Sequence, residues 1–303
     1  MDYKKVLSNQ HTRIKLLRML TWIPDPIMLR IQYRIKMGFW PRFKHPKRFT
    51  EKIQLYKMRY RNPNMAKCVD KYEVRDYLIK KGLGSYLNDI YLVCDSINEI
   101  DFCSLPQQFV IKNTTGGGGL NVLVVKDKTK IDLGLICSTV SSWELHDKGM
   151  ISPGREWAYS GIGKTRILVE KYLEDHFSNE KLDHDGLTDY KFFCFNGEPK
   201  YIQVDSGRFN NHQQNFYDMN WNCLGVHCTY PEGEQLDIPL NLDEMIRLAT
   251  LLSEGFPFVR VDLYNVMGQI YFGELTFYPS SGYGRFHPDT FDFLLGNSFL
   301  EYK

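Results

Sequence analysis

Two short stretches near the carboxyl end alternate apolar and polar positions. Val259, Val261 and Leu263 interleave with Arg260, Asp262 and Tyr264; after residues 265–268, Tyr271, Gly273 and Leu275 interleave with Phe272, Glu274 and Thr276. A period of two marks a half-buried strand, and two such runs about a short turn predict a hairpin. The same reasoning places strands at 91–94, 108–112, 120–125, 167–173, 190–195 and 200–204, with Asn196-Gly197 as a tight turn between the last two. Helical spacing appears at 12–40, split by Pro24-Asp-Pro26, where Ile14, Leu17 and Leu20 form one stripe and Ile31 and Ile35 another. Further helices are expected over 51–60, ending at Asn62-Pro63, and over 69–81, stopped by Gly82 and Gly84. Two more are expected at 242–253 and after Pro288. Strands dominate the second half with helices flanking them, so the fold class is α+β with two lobes.

Composition changes this picture in one respect. The net charge of +2 is small, yet residues 1–61 hold 16 Lys and Arg against Asp2, Asp25 and Glu51. That local excess of 13 predicts that the amino-terminal segment meets something anionic. Two readings stay open: residues 1–44 rest on an anionic membrane surface, or their apolar stripes pack on the protein's own body with the bases solvated. The apolar stretch around residues 16–29 is broken by Arg18, Asp25 and two prolines and cannot span a bilayer. Seven scattered cysteines without a Cys-x-x-Cys motif indicate neither a zinc site nor a disulfide framework. Met1-Asp-Tyr-Lys-Lys lacks the apolar stretch of a secretory signal, so the expectation is a cytoplasmic protein, at the inner face of the membrane if the segment docks there.

If the hairpin at 258–277 forms, Asp262 and Glu274 converge on one side of the sheet. Facing carboxylates repel unless a cation lies between them, and hard oxygen ligands select magnesium. Between the strands at 108–112 and 120–125 lies Asn113-Thr-Thr-Gly-Gly-Gly-Gly119. Strand, glycine loop, strand is a hairpin with a flap, unlike the strand-to-helix layout of a dinucleotide-binding unit. Gly116, Gly117, Gly118 and Gly119 offer backbone amides able to wrap phosphate oxygens. Lys112 ends the strand beside that flap, placed to meet a phosphate. Glu170, Lys171, Tyr172 and Leu173 follow an apolar run whose free backbone groups could read an adenine edge. Gly161-Ile-Gly-Lys-Thr165 imitates the tail of a phosphate-binding loop, but Ala158 stands where the first glycine is required, which excludes it. Arg208, Asn210, His212 and Asn215 form a polar cluster that reads either as a substrate contact or as a solvated loop.

In this order the pieces resemble the ATP-grasp superfamily: Asp70-Lys71 opening a helix, the strand ending in Lys112, the glycine flap, Val169-Glu-Lys-Tyr-Leu173, then Arg260, Asp262 and Glu274. A fuller string is similar to its TupA-like branch, associated with bacterial surface-polysaccharide synthesis. That string comprises Thr50-Glu-Lys-Ile-Gln54, Val69-Asp-Lys-Tyr-x-Val-Arg75, Ile100-Asp101, Ser104-Leu-Pro106, Asp189-Tyr-Lys-Phe192, Asn215-Phe-Tyr-Asp218 and Glu274-Leu-Thr-Phe-Tyr-Pro279. The resemblance covers roughly residues 45–290. It implies an ATP-grasp fold, with nucleotide held between two α+β lobes. The expected division is a basic amphipathic helical segment at 1–49, a helical α/β portion at 50–105, a small lobe bearing the flap at 106–172 and a large lobe bearing the metal site at 173–303. By the same resemblance Lys71 and Lys112 touch nucleotide phosphates, and Glu170 to Leu173 hold adenine and ribose. Asp262 and Glu274 bind magnesium, with Thr276 where the superfamily often has Asn, and Arg260 steadies an acyl phosphate. A hydroxyl is a poorer magnesium ligand than an amide oxygen. Ser280, Ser281 and Gly282 could set backbone amides around the transferred phosphoryl or a substrate carboxylate.

The implied activity is an ATP- and Mg2+-dependent carboxylate–amine ligase acting through an acyl phosphate. Its expected substrates are an amino acid or amine and a sugar carboxylate, on a small molecule or lipid-linked glycan, with no nucleic acid involved. Two competitors remain. Asp183-His-Asp185 has the Asp-x-Asp shape of a glycosyltransferase using a nucleotide sugar, although no strand leads into it. A degenerate grasp that binds nucleotide without catalysis is the other, and the intact Lys112, Asp262 and Glu274 argue against it.

Overall fold

A computed structural model describes residues 16–116, 121–143, 152–160, 163–174, 186–208 and 210–300. The rest of the flap (Gly117, Gly118, Gly119), Asp183-His-Asp185 and the first four residues of the helical stretch expected at 12–40 lie outside the described residues. Two antiparallel sheets organise the described chain. The first contains β1 (Ile90–Cys94), β4 (Ile167–Lys171), β2 (Phe109–Asn113) and β3 (Val122–Val125), in that spatial order. The second runs β7 (Gln213–Tyr217), β6 (Glu198–Ser206), β5 (Asp189–Phe195), β8 (Phe258–Val266), β9 (Gln269–Thr276). Eight α-helices are described with them: α1 (Asp25–Met37), α2 (Phe49–Arg59), α3 (Pro63–Cys68), α4 (Val74–Lys80), α5 (Leu133–Ser141), α6 (Trp157–Ser160), α7 (Leu242–Ser253) and α8 (Thr290–Ser298). The class is α+β, as the alternation predicts.

Each sheet has its own core. Against the larger sheet lie α2 and α7; Leu242, Met245, Leu248, Ala249 and Leu252 recur at helical spacing on α7 and are all buried. Phe49 of α2 meets Phe193, Phe195 and Phe258 with ring centroids 4.9–6.1 Å apart. The smaller sheet buries Phe109, Ile111 and Val169 against Ile136 and Val140 of α5. The periodic pattern of α5 escapes a sequence reading because only two of its positions are buried; Asp132 opens it, accepting from the Leu135 amide at 3.0 Å.

Two differences from the sequence reading bear on the site. The helix expected over 69–81 begins only at Val74, because the Asp70 carboxylate accepts from the Tyr72 and Glu73 amides at 2.9 Å each and turns the chain first. That turn frees the Lys71 amide to bond the Thr114 carbonyl at 2.8 Å, docking the turn on the end of β2. Residues 213–217 form an edge strand rather than a loop, since Gln214 and Asn215 satisfy their amides within the fold. Among the described residues no helix is long and apolar enough to cross a membrane, and all seven cysteines are free thiols.

Candidate active site

Met267 and Gly268, at φ 53° and 81°, make the two-residue turn that joins β8 to β9, and the strands pair with Asp262 opposite Glu274. The pairing then slips: Leu263 faces Phe272, leaving Gly273 as an extra residue. A Cβ on Gly273 would stand 3.0 Å from the Asp262 carbonyl, so glycine lets the strands stay close through this bulge. The bulge is also what separates Phe272 and Leu275, both buried in the core, from Glu274 between them. Strict alternation would have left Phe272 and Glu274 on one face.

Between the two acids lies the Arg260 guanidinium. Its Nε and Nη2 donate to the two oxygens of Asp262 at 2.7 and 2.6 Å. Nη2 also donates to Thr276 Oγ1 at 3.2 Å and lies 3.7 Å from Glu274. Thr276 in turn donates to Glu274 at 3.1 Å, so its hydroxyl positions that carboxylate. Burial raises the Asp262 carboxyl to about 7 against the opposing charge of Arg260, while Lys71 and Arg260 overcome burial to hold Glu274 below its ordinary value.

The polar face continues across the sheet. Lys191 pairs across from Asp262 and lies 2.8 Å from both Asp189 and Asp205. Arg208 contacts Asp189 at 2.7 Å; Gln203 and Gln214 donate to Asp205 at 3.0 and 2.9 Å. Burial opposes the charge on Asp189 and Asp205, yet these partners hold both carboxyls below their ordinary value and the Lys191 ammonium above its own. Four buried or half-buried carboxylates thus face Lys71, Lys191, Arg208 and Arg260, a balanced set that tolerates burial because each charge is paired. Sequence reading gave Asp205 no site role, and it met Lys191 only within the Asp189-Tyr-Lys-Phe192 piece, with no role assigned. A further signal was the charge of Lys191 beside the apolar run Phe192–Phe195; Asp205, in a strand of mixed character, had none.

On the smaller sheet, Lys112 is ion-paired with Glu170 of the neighbouring strand β4. Lys71 is the link between the sheets. Its ammonium donates to the Gly116 carbonyl at the base of the glycine run and lies 4.0 Å from Glu274. Burial lowers its pKa, opposed by Glu274, and Lys112 lies near enough to lower it further. The expectation of free backbone at 170–173 needs correcting at Lys171, whose amide donates to the Asp89 carbonyl at 2.9 Å and whose carbonyl accepts from Asn88 at 2.8 Å. Strand β1 covers that edge.

The remaining candidates divide. Ser280 and Ser281 both adopt left-handed backbone, φ 49° and 54°, directly after the acidic strand. Such strain costs about 1–3 kcal/mol per residue and persists only where surroundings enforce it. Here α2 enforces it: Gln54 donates to the Ser281 and Gly282 carbonyls at 3.2 and 2.8 Å, and the buried Lys57 ammonium donates to the Ser281 carbonyl, Ser281 Oγ and the Gly154 carbonyl at 2.8, 2.9 and 3.0 Å. Burial pulls Lys57 down to about 7, with Glu156 at 3.8 Å opposing. Arg208 belongs to the polar face, and His212 stacks on Tyr230 beside Asp205. Asn215 is turned away: its amide donates to the Gly233 and Glu234 carbonyls at 3.2 and 2.8 Å, holding a loop. The Asn210 amide bonds the Gly207 carbonyl at 3.2 Å within the turn after β6.

The donor set suits one hard divalent cation that takes its other ligands from phosphate oxygens and water. Asp262 and Glu274 supply two carboxylates, and among the described residues no group of three or more His, Cys, Asp or Glu comes together to make an all-protein cage. Arg260 occupies one lone pair on each Asp262 oxygen, leaving acceptor capacity on both.

Against known proteins, residues 51–300 match a family model described as TupA-like ATPgrasp. No curated protein matches the sequence. Among solved structures the chain is similar to the D-alanine–D-alanine ligase of Helicobacter pylori, at 13% identity and a TM-score of 0.46 over 77% of this chain and 61% of that one. The ATP complex of the Bacillus anthracis D-alanine–D-alanine ligase gives 15% and 0.42 over 77% and 63%. The L-amino acid ligase of Bacillus licheniformis gives 14% and 0.43 over 77% and 49%. The chain thus spans between about half and two thirds of these proteins' lengths.

Proposed function

The chain belongs to the TupA-like ATP-grasp family, and from that premise we propose that it is an ATP- and Mg2+-dependent carboxylate–amine ligase. One observation supports the reading: Lys71 joins Gly116, at the base of the glycine run, to Glu274 of the carboxylate pair, so a phosphate met at that base and a metal held by the carboxylates would share one site. In the reaction a carboxylate oxygen attacks the γ-phosphate of ATP and ADP leaves. An amine then displaces inorganic phosphate from the acyl phosphate, and the amide remains. Asp262 and Glu274 would hold magnesium, which when bound neutralises charge on the phosphate oxygens.

The chain's own residues do the positioning. Lys71, Lys112 and Arg260 place three fixed cations around the phosphoryl group, and they are worth most in a site screened from water. Arg260 is oriented in advance by its bidentate contact with Asp262, so little reorganisation is required of it. Lys191 and Arg208, each already paired with Asp189 or Asp205, continue the polar face along the sheet. The strained Ser280–Ser281 turn, braced by Lys57 and Gln54, would meet the transferred phosphoryl or a substrate carboxylate through Ser280 and the hydroxyls, since the Ser281 amide already donates to the Tyr278 carbonyl at 2.8 Å. For the substrates, the reading is an amino acid or amine joined to a sugar carboxylate in cell-surface polysaccharide synthesis; the family to which the chain belongs supports it.

The test is phosphate release from Mg-ATP across a panel of amino acids and uronic acids. Release that requires both a carboxylate and an amine, and that Asp262→Asn abolishes, is the expected result. Release indifferent to any acceptor, or transfer from a nucleotide sugar without ATP turnover, would overturn the proposal.

A further inference from the structure

Helix α1 carries two apolar faces. Met28, Leu29 and Tyr33 are buried against the body, while Ile27, Ile31 and Ile35 are 52%, 39% and 49% exposed. A spacing of four residues puts those three isoleucines in one ridge along the outer side. Arg30 and Arg34 fall on the same outer side, flanking the ridge, and both are exposed. Trp22 and Trp40, 78% and 61% exposed, stand beyond the two ends of the helix.

The helix cannot roll this ridge inward. Gln32 donates to the Pro153 carbonyl at 3.2 Å and accepts from Tyr283 at 2.9 Å. The Tyr33 and Thr50 hydroxyls bond at 2.8 Å, and Asp25 is paired with Arg155 at 2.7 Å. Those contacts fix the rotation of α1 about its axis, so the isoleucines remain turned outward as a built surface.

From this geometry we infer that the outer face of α1 docks on an anionic phospholipid bilayer, lying in the plane of the interface. Thirteen residues extend about 20 Å, too short to span and suited to lying flat. Charge selects the occupant. Residues 16–49 contain eight Lys and Arg and a single acid, Asp25, which is already paired inward. A second copy of the same face would bring like charges together, whereas anionic headgroups match them. Exposed tryptophans at both ends suit the boundary between headgroups and acyl chains. The same helix braces residues 153 and 283, next to the strained serine turn, so docking would bring that turn close to the lipid surface.

The experiment is co-sedimentation of the full chain with vesicles of phosphatidylcholine alone and of phosphatidylcholine mixed equally with phosphatidylglycerol. Binding needs no turnover, so its outcome is independent of the ligase reading. Partitioning at least about tenfold stronger onto the anionic vesicles is expected, with a steep fall as salt is raised. Arg30→Glu combined with Arg34→Glu should weaken it about 25-fold or more, at about fivefold per arginine removed. Ile27→Ser, Ile31→Ser and Ile35→Ser together should weaken it about tenfold or more while circular dichroism stays unchanged. Equal binding to both vesicle types, or a triple variant that binds like the parent, overturns the inference. So does light scattering that shows a dimer which the triple substitution converts to monomer, since a second copy would then be the occupant.

Discussion

Replacing Lys57 by methionine keeps much of the side chain's length and removes its charge. Three half-buried acceptors then lose a donor that is itself fully buried: the Ser281 carbonyl, Ser281 Oγ and the Gly154 carbonyl. Gln54 still reaches the Ser281 carbonyl at 3.2 Å, so two groups are orphaned outright. An unsatisfied buried acceptor costs about 1–3 kcal/mol, partly offset because the parent bears the cost of burying an ammonium. A loss of about 1–3 kcal/mol at pH 6 is therefore expected in denaturant unfolding.

The pH dependence is the sharper measurement. Lys57 has a folded pKa lowered from 10.5 to about 7, so its contribution is complete above pH 10.5 and is lost as pH falls through 7. Between those limits the unfolded chain holds the extra proton, and stability rises with pH. The gap between parent and Lys57→Met should widen by on the order of 3 kcal/mol from pH 7 to 10, every other titration being shared. Unfolding curves that run parallel across that range would refute the argument, because Lys57 would then hold its proton as an exposed lysine does. In the ligase assay the variant should raise KM for the carboxylate substrate with little change in Mg-ATP affinity, since Lys57 touches none of Lys71, Lys112, Asp262 or Glu274.

Further consequences can be checked directly. Asp262→Asn should lower acceptor-dependent phosphate release by at least about 100-fold and abolish the thermal shift that magnesium adds to ATP, with unfolding changed far less because Arg260 keeps Thr276 and Glu274. Lys112→Ala should leave Glu170 without its partner and raise KM for ATP about tenfold or more, read by initial rates over nucleotide concentration. Gly282→Ala places a Cβ 2.4 Å from Gln54 Nε2 and 2.6 Å from Ile53 Cγ2 in backbone at φ 68°. It should cost about 1–3 kcal/mol of stability, measured by denaturant unfolding, and raise the same KM as Lys57→Met.

Most strand positions, the two-residue turn at Asn196-Gly197 and the pairing of Asp262 with Glu274 were legible because they follow from alternation and from residues that accept left-handed backbone, whereas the turn read over 265–268 tightened to Met267-Gly268. Order along the chain was enough to suggest which charges share a site. What linear order cannot carry is who stands beside whom across two sheets. Lys71 reaches Glu274 only because the Asp70 turn docks on β2, and Lys57 reads as one more base in a cationic stretch until α2 buries it against the serine turn. The bulge at Gly273, which lets Phe272 and Leu275 enter the core while Glu274 stays on the polar face, is a compromise between two packing demands. Local pattern determined the elements, because backbone hydrogen bonding and side-chain period act over a few residues. Charge state and partner were decided by tertiary packing, because desolvation and Coulomb energy depend on neighbours distant in sequence.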